Sequence, residues 1–186
     1  MKFLPLLLLI AVRTAAPQAT SVRVADAPCA RCHAQIYQAY LRTPMANASG
    51  SATDNLKPGT FVHQASGVAY TIQDAHGVPA LSWHNTHSLE ADQHATLSYF
   101  LGSGHLGITW LYSADNYLFE SPVAWYADLH GLDMKPGLEK ADTRLPALPV
   151  ESACLRCHMS AVQKSDPGSI NRYSGLPFLH TGITCE

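Results

Sequence analysis

Residues 61–72 of the chain read FVHQASGVAYTI, a stretch that predicts a β-hairpin. Apolar and aromatic residues lie on both sides of the Ser-Gly dipeptide at 66–67, which is typical of a turn. A third strand is expected at 80–83 (ALSW), after the His-Gly turn signal at 76–77. The middle of the chain is therefore predicted to begin as an antiparallel meander.

The predicted meander continues toward the C-terminus in short β-like segments. These are residues 96–101, 108–112 and 117–119, and they are separated by the turn signals GSG at 102–104 and ADN at 114–116.

Short helices are expected on either side of the meander. Residues 34–43 contain no Gly or Pro and place Ile36 and Tyr40 on one helical face, and Pro44 ends the helix. A second short helix is expected to begin near Ser152. Loop or extended chain is expected over 46–60, 131–152 and 165–182.

Composition limits the functional classes. The 186 residues suit one ordinary domain, and 47% hydrophobic residues are enough for a core. A formal net charge of −2 gives no basic footprint, so no nucleic-acid partner is expected. Beyond the N-terminus no apolar run approaches the roughly 18 residues that span a bilayer, so no stable membrane span is expected. The oligomeric state is left open.

The N-terminus has the layout of a secretory signal peptide. Lys2 precedes an apolar run over 3–12, and small residues follow it. We expect residues 1–19 to be a cleavable signal and residues 20–186 to form a periplasmic or otherwise extracytoplasmic domain. The alternative is a buried N-terminal helix.

A C-x-x-C-H motif occurs twice, as CARCH and as CLRCH. This motif is the attachment signature of c-type haem. Two thiols three positions apart can each add to a vinyl group on one porphyrin edge, and the next residue, His, then binds the iron. The cysteine pairs are Cys29 with Cys32 and Cys154 with Cys157, and the histidines are His33 and His158.

Other interpretations of the motifs remain open. Each C-x-x-C could form a disulfide. The two pairs could share a zinc ion, although they lie much further apart than the usual spacing of about 15–20 residues. A thioredoxin-like site would need a βαβ pattern that the sequence lacks.

Cys185 makes the cysteine count odd. If the natural chain continued after Glu186 with x-C-H, a third motif would begin at Cys185. We therefore expect iron in haem c on two complete motifs, with Cys185 as the candidate for a third haem, in a chain that is an N-terminal fragment. The alternative is a lone thiol.

Further residues strengthen the haem interpretation. Thr-Pro-Met-Ala follows the first motif helix at 43–46, aromatic and Gly spacings recur over 61–70 and 102–126, and Gly-Ile-Thr-Cys-Glu ends the chain at 182–186. Together with the motifs, this pattern, over residues 29–186, resembles multihaem c-type cytochromes. These are related to the tetrahaem cytochromes of nitrification and are often fused to tetratricopeptide repeats. The resemblance implies haem binding and periplasmic electron transfer with redox partner proteins.

The predicted fold class is α+β. Short haem-attachment helices would surround the β-meander, with much irregular loop held by covalent haem. The tract 61–126 contains Trp83, Trp110 and Trp125 and is expected to pack against the haems.

The two motif histidines are the expected proximal iron ligands. Met45, in the turn after the first motif helix, is the expected sixth ligand of the haem at His33, and its alternative role is packing. The candidates for the other irons could each instead be a satisfied polar residue. They are His63, His105, His130 and His180.

Three functions are compatible with these residues. The first is a periplasmic electron-transfer protein in which the chain sets the haem potential. The alternative is a haem enzyme acting on a small nitrogen or sulfur compound at an open haem face. The third is a module that senses a small gas or docks a partner.

Overall fold

The computed structural model describes residues 23–141 and 148–185. The predicted signal peptide at 1–19 lies outside the described residues. The helices are α1 (Ala27–Cys32), α2 (Ala34–Tyr40) and α3 (Ser152–Leu155), with 3-10 turns at Arg23–Asp26 and Ala52–Asn55. The strands are β1 (Ser49–Ser51), β2 (Gly59–His63), β3 (Val68–Ala75), β4 (Val78–Asn85), β5 (Gln93–Leu101), β6 (Gly107–Ala114), β7 (Tyr117–Glu120), β8 (Val123–Tyr126), β9 (Gly131–Met134), β10 (Met159–Val162) and β11 (Phe178–Thr181).

Nine strands form one antiparallel sheet. Its order is β2-β3-β4-β5-β6-β8-β9, with β1 paired to β5 and β7 paired to β6. The outer strands β2 and β9 lie against each other, so the sheet curls until it is nearly closed. Strands β10 and β11 form a separate two-stranded ladder beside it.

The hairpin predicted from 61–72 is confirmed. Phe61 lies opposite Tyr70, and His63 lies opposite Val68 at the turn. Val68, Tyr70 and Ile72 are fully buried, as the period-2 alternation of a strand requires when one face packs on a core. The strands expected at 80–83, 96–101, 108–112 and 117–119 also lie within β4 to β7.

The expected α+β fold class is wrong. Strand accounts for 41% of the described residues and helix for 15%, and each of the three described helices is at most seven residues long. The error arose in segments assigned to loop or extended chain, which contain β1, β9 and β11. These strands are three or four residues long and lack an alternating pattern, so only long-range pairing reveals them.

Two apolar cores organise the chain. The first fills the interior of the curled sheet with large side chains such as Tyr70, Leu81 and Trp110. Trp83 also belongs to this core, and Trp125 packs against it, so these rings lie in or against the sheet's own interior. The expectation that they pack against haem gains no support from this arrangement.

The second core joins the C-terminal segment to the outside of the sheet. Leu111 of β6 packs with Leu155, Met159 and Phe178. Leu155 is 0% exposed and Met159 is 2% exposed, and they flank Cys157 in sequence. The second motif is therefore anchored to the sheet by its apolar neighbours.

Among the residues that the structure describes, no helix combines the length and apolar character needed to cross a membrane.

Candidate functional site

The first motif lies on one short helix. Cys29 and Cys32 are three residues apart within α1, and both thiols are free. His33 ends the helix, and its backbone N–H donates to the Cys29 carbonyl at 2.9 Å. The imidazole of His33 is exposed, as is Cys32. The motif thus presents two thiols and a histidine on the surface.

The helices around the first motif have no core of their own. Neither α1 nor α2 contains a buried residue, and Ile36 is 68% exposed. Helices of six and seven residues are marginal in water unless something covers an apolar face. The described protein leaves this face open, which fits residues that would cover a large apolar group.

The second motif begins on α3. Cys154 and Cys157 are both free and exposed, whereas Leu155 between them points into the second core. The His158 backbone N–H donates to the Leu155 carbonyl at 2.9 Å and so continues the turn. The second motif therefore also exposes its two thiols, but unlike the first motif it is anchored by a buried residue, Leu155.

The imidazole of His158 is held by one ring nitrogen. Its Nδ1–H donates to the Ala48 carbonyl oxygen at 3.3 Å. Within the described part of the chain, Nε2 has no hydrogen-bond partner. Metal-binding histidines commonly donate one ring N–H to a carbonyl, which fixes the tautomer and leaves the other nitrogen for the metal.

A short turn after α2 lies where the first motif, the second motif and the segment before Cys185 meet. We call residues 43–49 the junction turn. Asn47 stabilises it by donating from its side-chain amide to the carbonyls of Leu41 and Thr43 at 3.0 and 2.9 Å. The turn therefore has a defined backbone that other segments can bind.

The segment before Cys185 packs tightly on the junction turn. The Ile183 N–H donates to the Met45 carbonyl at 3.1 Å. Gly182 has a φ of +71°, and a Cβ there would overlap the Ala46 carbonyl oxygen. Only glycine suits both the backbone conformation and this close approach.

Cys185 also lies beside the first motif. Its N–H donates to the Asp26 carboxylate at 2.6 Å, and Asp26 is completely buried just before α1. Desolvation, followed by the Asp26 carboxylate and a smaller contribution from Cys29, raises the pKa of the Cys185 thiol. Asp26, Cys29 and Cys185 are therefore neighbours.

The candidate distal ligands have different environments. His63 is 5% exposed, and both of its nitrogens are bonded, Nδ1 to the Ser66 hydroxyl at 2.8 Å and Nε2 to the Glu139 carbonyl at 2.9 Å. Binding iron would break one of these bonds, so the alternative of a satisfied polar residue is favoured for His63.

The remaining candidates are less constrained. His105 is exposed and lines a cavity of about 240 Å³ together with Lys57 and Trp125. His130 is exposed and has a φ of 47°. Met45 is 57% exposed. His180 lies on β11, and its Nδ1 is buried without a partner among the described residues.

Within the described ranges, no three His, Cys, Asp or Glu side chains lie close enough to bind one metal ion. The described cysteines are all free, so neither C-x-x-C forms a disulfide in this structure.

Sequence reasoning missed a half-buried ion pair near the second motif. Lys135, which directly follows β9, forms an ion pair with Glu120 at the end of β7. Burial lowers the pKa of Lys135 to about 8, while the nearby Cys154 thiol acts in the opposite direction. The pair joins residues 15 positions apart in the sequence, and nothing in the local pattern marks it.

Comparison with known proteins finds no matching family model, no similar curated protein and no similar solved structure.

Proposed function

We propose that this chain is an extracytoplasmic electron-transfer protein with two covalently bound c-type haems. Cys29 with Cys32 and Cys154 with Cys157 would form the thioether links. His33 and His158 would be the proximal iron ligands. Bound haem would supply reversible one-electron chemistry at iron.

The orientation of His158 is the observation that carries the proposal. His158 directs Nδ1 to the Ala48 carbonyl, and its Nε2 has no hydrogen-bond partner among the described residues. A donor fixed in this tautomer suits an iron ligand.

The first motif supports the proposal through its missing cover. Its thiols are three residues apart on one turn of helix, and the adjoining helices leave an apolar face open. Met45 remains the proposed sixth ligand there, because the junction turn holds its backbone while its side chain stays exposed. Redox partner proteins would exchange electrons at such exposed edges.

The spin state of the iron tests the electron-transfer role. The protein is expressed with a periplasmic cytochrome c maturation system and examined by absorption and EPR spectroscopy. We expect low-spin haem that is reduced by dithionite, reoxidised by a small redox mediator and unchanged by cyanide. A high-spin haem that binds cyanide would instead favour the enzymatic alternative.

A further inference from the structure

Ser49 is a small buried residue at which three segments meet. It begins β1, lies opposite Leu101 of β5 and is 5% exposed. Its hydroxyl donates to the backbone carbonyl of His158 at 2.7 Å. The same oxygen accepts the Gly182 N–H at 2.8 Å.

The residue before Ser49 holds the ring of the same histidine. The Ala48 carbonyl accepts from His158 Nδ1 at 3.3 Å and from the Gly102 N–H at 2.8 Å. The second of these bonds joins the carbonyl to the end of β5. Residues 48 and 49, at the start of β1, thus hold the imidazole and the backbone of His158.

We infer that Ser49 is a positioning residue that fixes the orientation of the His158 imidazole and ties it to the Gly182 segment. This inference rests on the proposed function, because the orientation matters through the iron that His158 would bind. Residues that orient a metal-binding histidine fix its tautomer and raise its basicity, and their mutation typically costs about 10–100-fold in metal affinity or activity.

The Ser49 hydroxyl should affect the reduction potential of the haem that His158 would bind. A carbonyl that accepts from Nδ1–H makes Nε2 a stronger donor, which stabilises Fe(III) and lowers the reduction potential. Without the Ser49 hydroxyl, the His158 backbone loses one anchor and the Nδ1–H···O bond to Ala48 loosens. The imidazole then donates less strongly and its plane can rotate.

Ser49→Ala tests the assignment, with Ser51→Ala as its matched control. Ser51 lies on the same strand but is exposed, and its hydroxyl forms a 2.8 Å hydrogen bond with that of Thr53, its one partner among the described residues. Haem content is measured first by mass for every variant. Potentiometric titration and the haem-methyl NMR shifts of the oxidised protein then report on each haem.

We expect Ser49→Ala to raise the potential of one haem and to move its methyl shifts, leaving the other haem unchanged. Ser51→Ala should match the wild type in both readouts. Gly182→Ala should displace the segment that contains Gly182, and should change the potential and methyl shifts of the same haem as Ser49→Ala. Gly175→Ala is its control, since a Cβ there meets nothing within 4 Å.

The possible failures are distinct. Haem-loaded Ser49→Ala and Gly182→Ala with unmoved potentials and methyl shifts would overturn the role of Ser49, even if both variants were less stable. Should Ser49→Ala not fold, Gly182→Ala still decides the question. A wild-type protein without haem would overturn the proposed function, and this inference with it, at the mass measurement.

Discussion

Replacing His63 by alanine tests whether this residue supports the hairpin or binds iron. The substitution removes a 95%-buried ring together with its bonds to the Ser66 hydroxyl and the Glu139 carbonyl. Two hydrogen bonds at about 0.5–1.5 kcal/mol each contribute about 1–3 kcal/mol. Adding the lost packing gives a destabilisation of about 2–4 kcal/mol.

Urea unfolding measures this loss. With an m-value of about 2 kcal/mol/M, the midpoint should fall by about 1–2 M. His94→Ala is the control, because His94 is exposed on β5, and its midpoint should stay close to that of the wild type. Equal midpoints for the two variants, or a change of haem spin state only in His63→Ala, would refute the structural role.

Three further predictions concern single residues. Met45→Ala should abolish the weak charge-transfer band of Met–Fe(III) coordination in the oxidised absorption spectrum. Met45→His should also abolish this band but keep the iron low-spin. An unchanged spectrum in Met45→Ala would mean that Met45 serves only in packing. Gly182→Ala should lower the free energy of unfolding by about 2–4 kcal/mol, because position 182 has a positive φ and a Cβ there would overlap the Ala46 carbonyl. The control Gly175→Ala should lower it by less than about 1 kcal/mol. Chemical denaturation of both variants measures the difference. Lys135 has a folded-state pKa of about 8, below its model-peptide value of 10.5, so the unfolded chain binds more protons between these values. The contribution of Lys135 to stability should therefore rise from pH 8 to 10.5, and Lys135→Gln should lose that slope in urea titrations at successive pH values.

Local patterns predicted the hairpin at 61–72 and its following strands, because alternation and turn residues act over a few positions. The same patterns could not reveal β1 or β11, which depend on partners far away in the chain. Since β1 reads only Ser-Gly-Ser, its place is set by pairing with β5. The fold class was misjudged for this reason.

The candidate site divides in the same way. The cysteines and histidines of both motifs could be proposed as haem-attachment residues from their spacing alone, since that spacing is what attachment to one porphyrin edge requires. The Ser49 hydroxyl joins residues 109 and 133 positions away, and Asp26 meets Cys185 across 159 positions. Such contacts involve ordinary polar residues and leave no sequence pattern.

The most direct test of the account is the mass of the mature protein made with a cytochrome c maturation system. We predict a mass increase of two haems that survives acid–acetone extraction. A Cys29→Ser/Cys32→Ser variant and a Cys154→Ser/Cys157→Ser variant should each lose one haem, and Cys185→Ser should keep both. An apoprotein with intact C-x-x-C disulfides at both motifs would contradict the central claim.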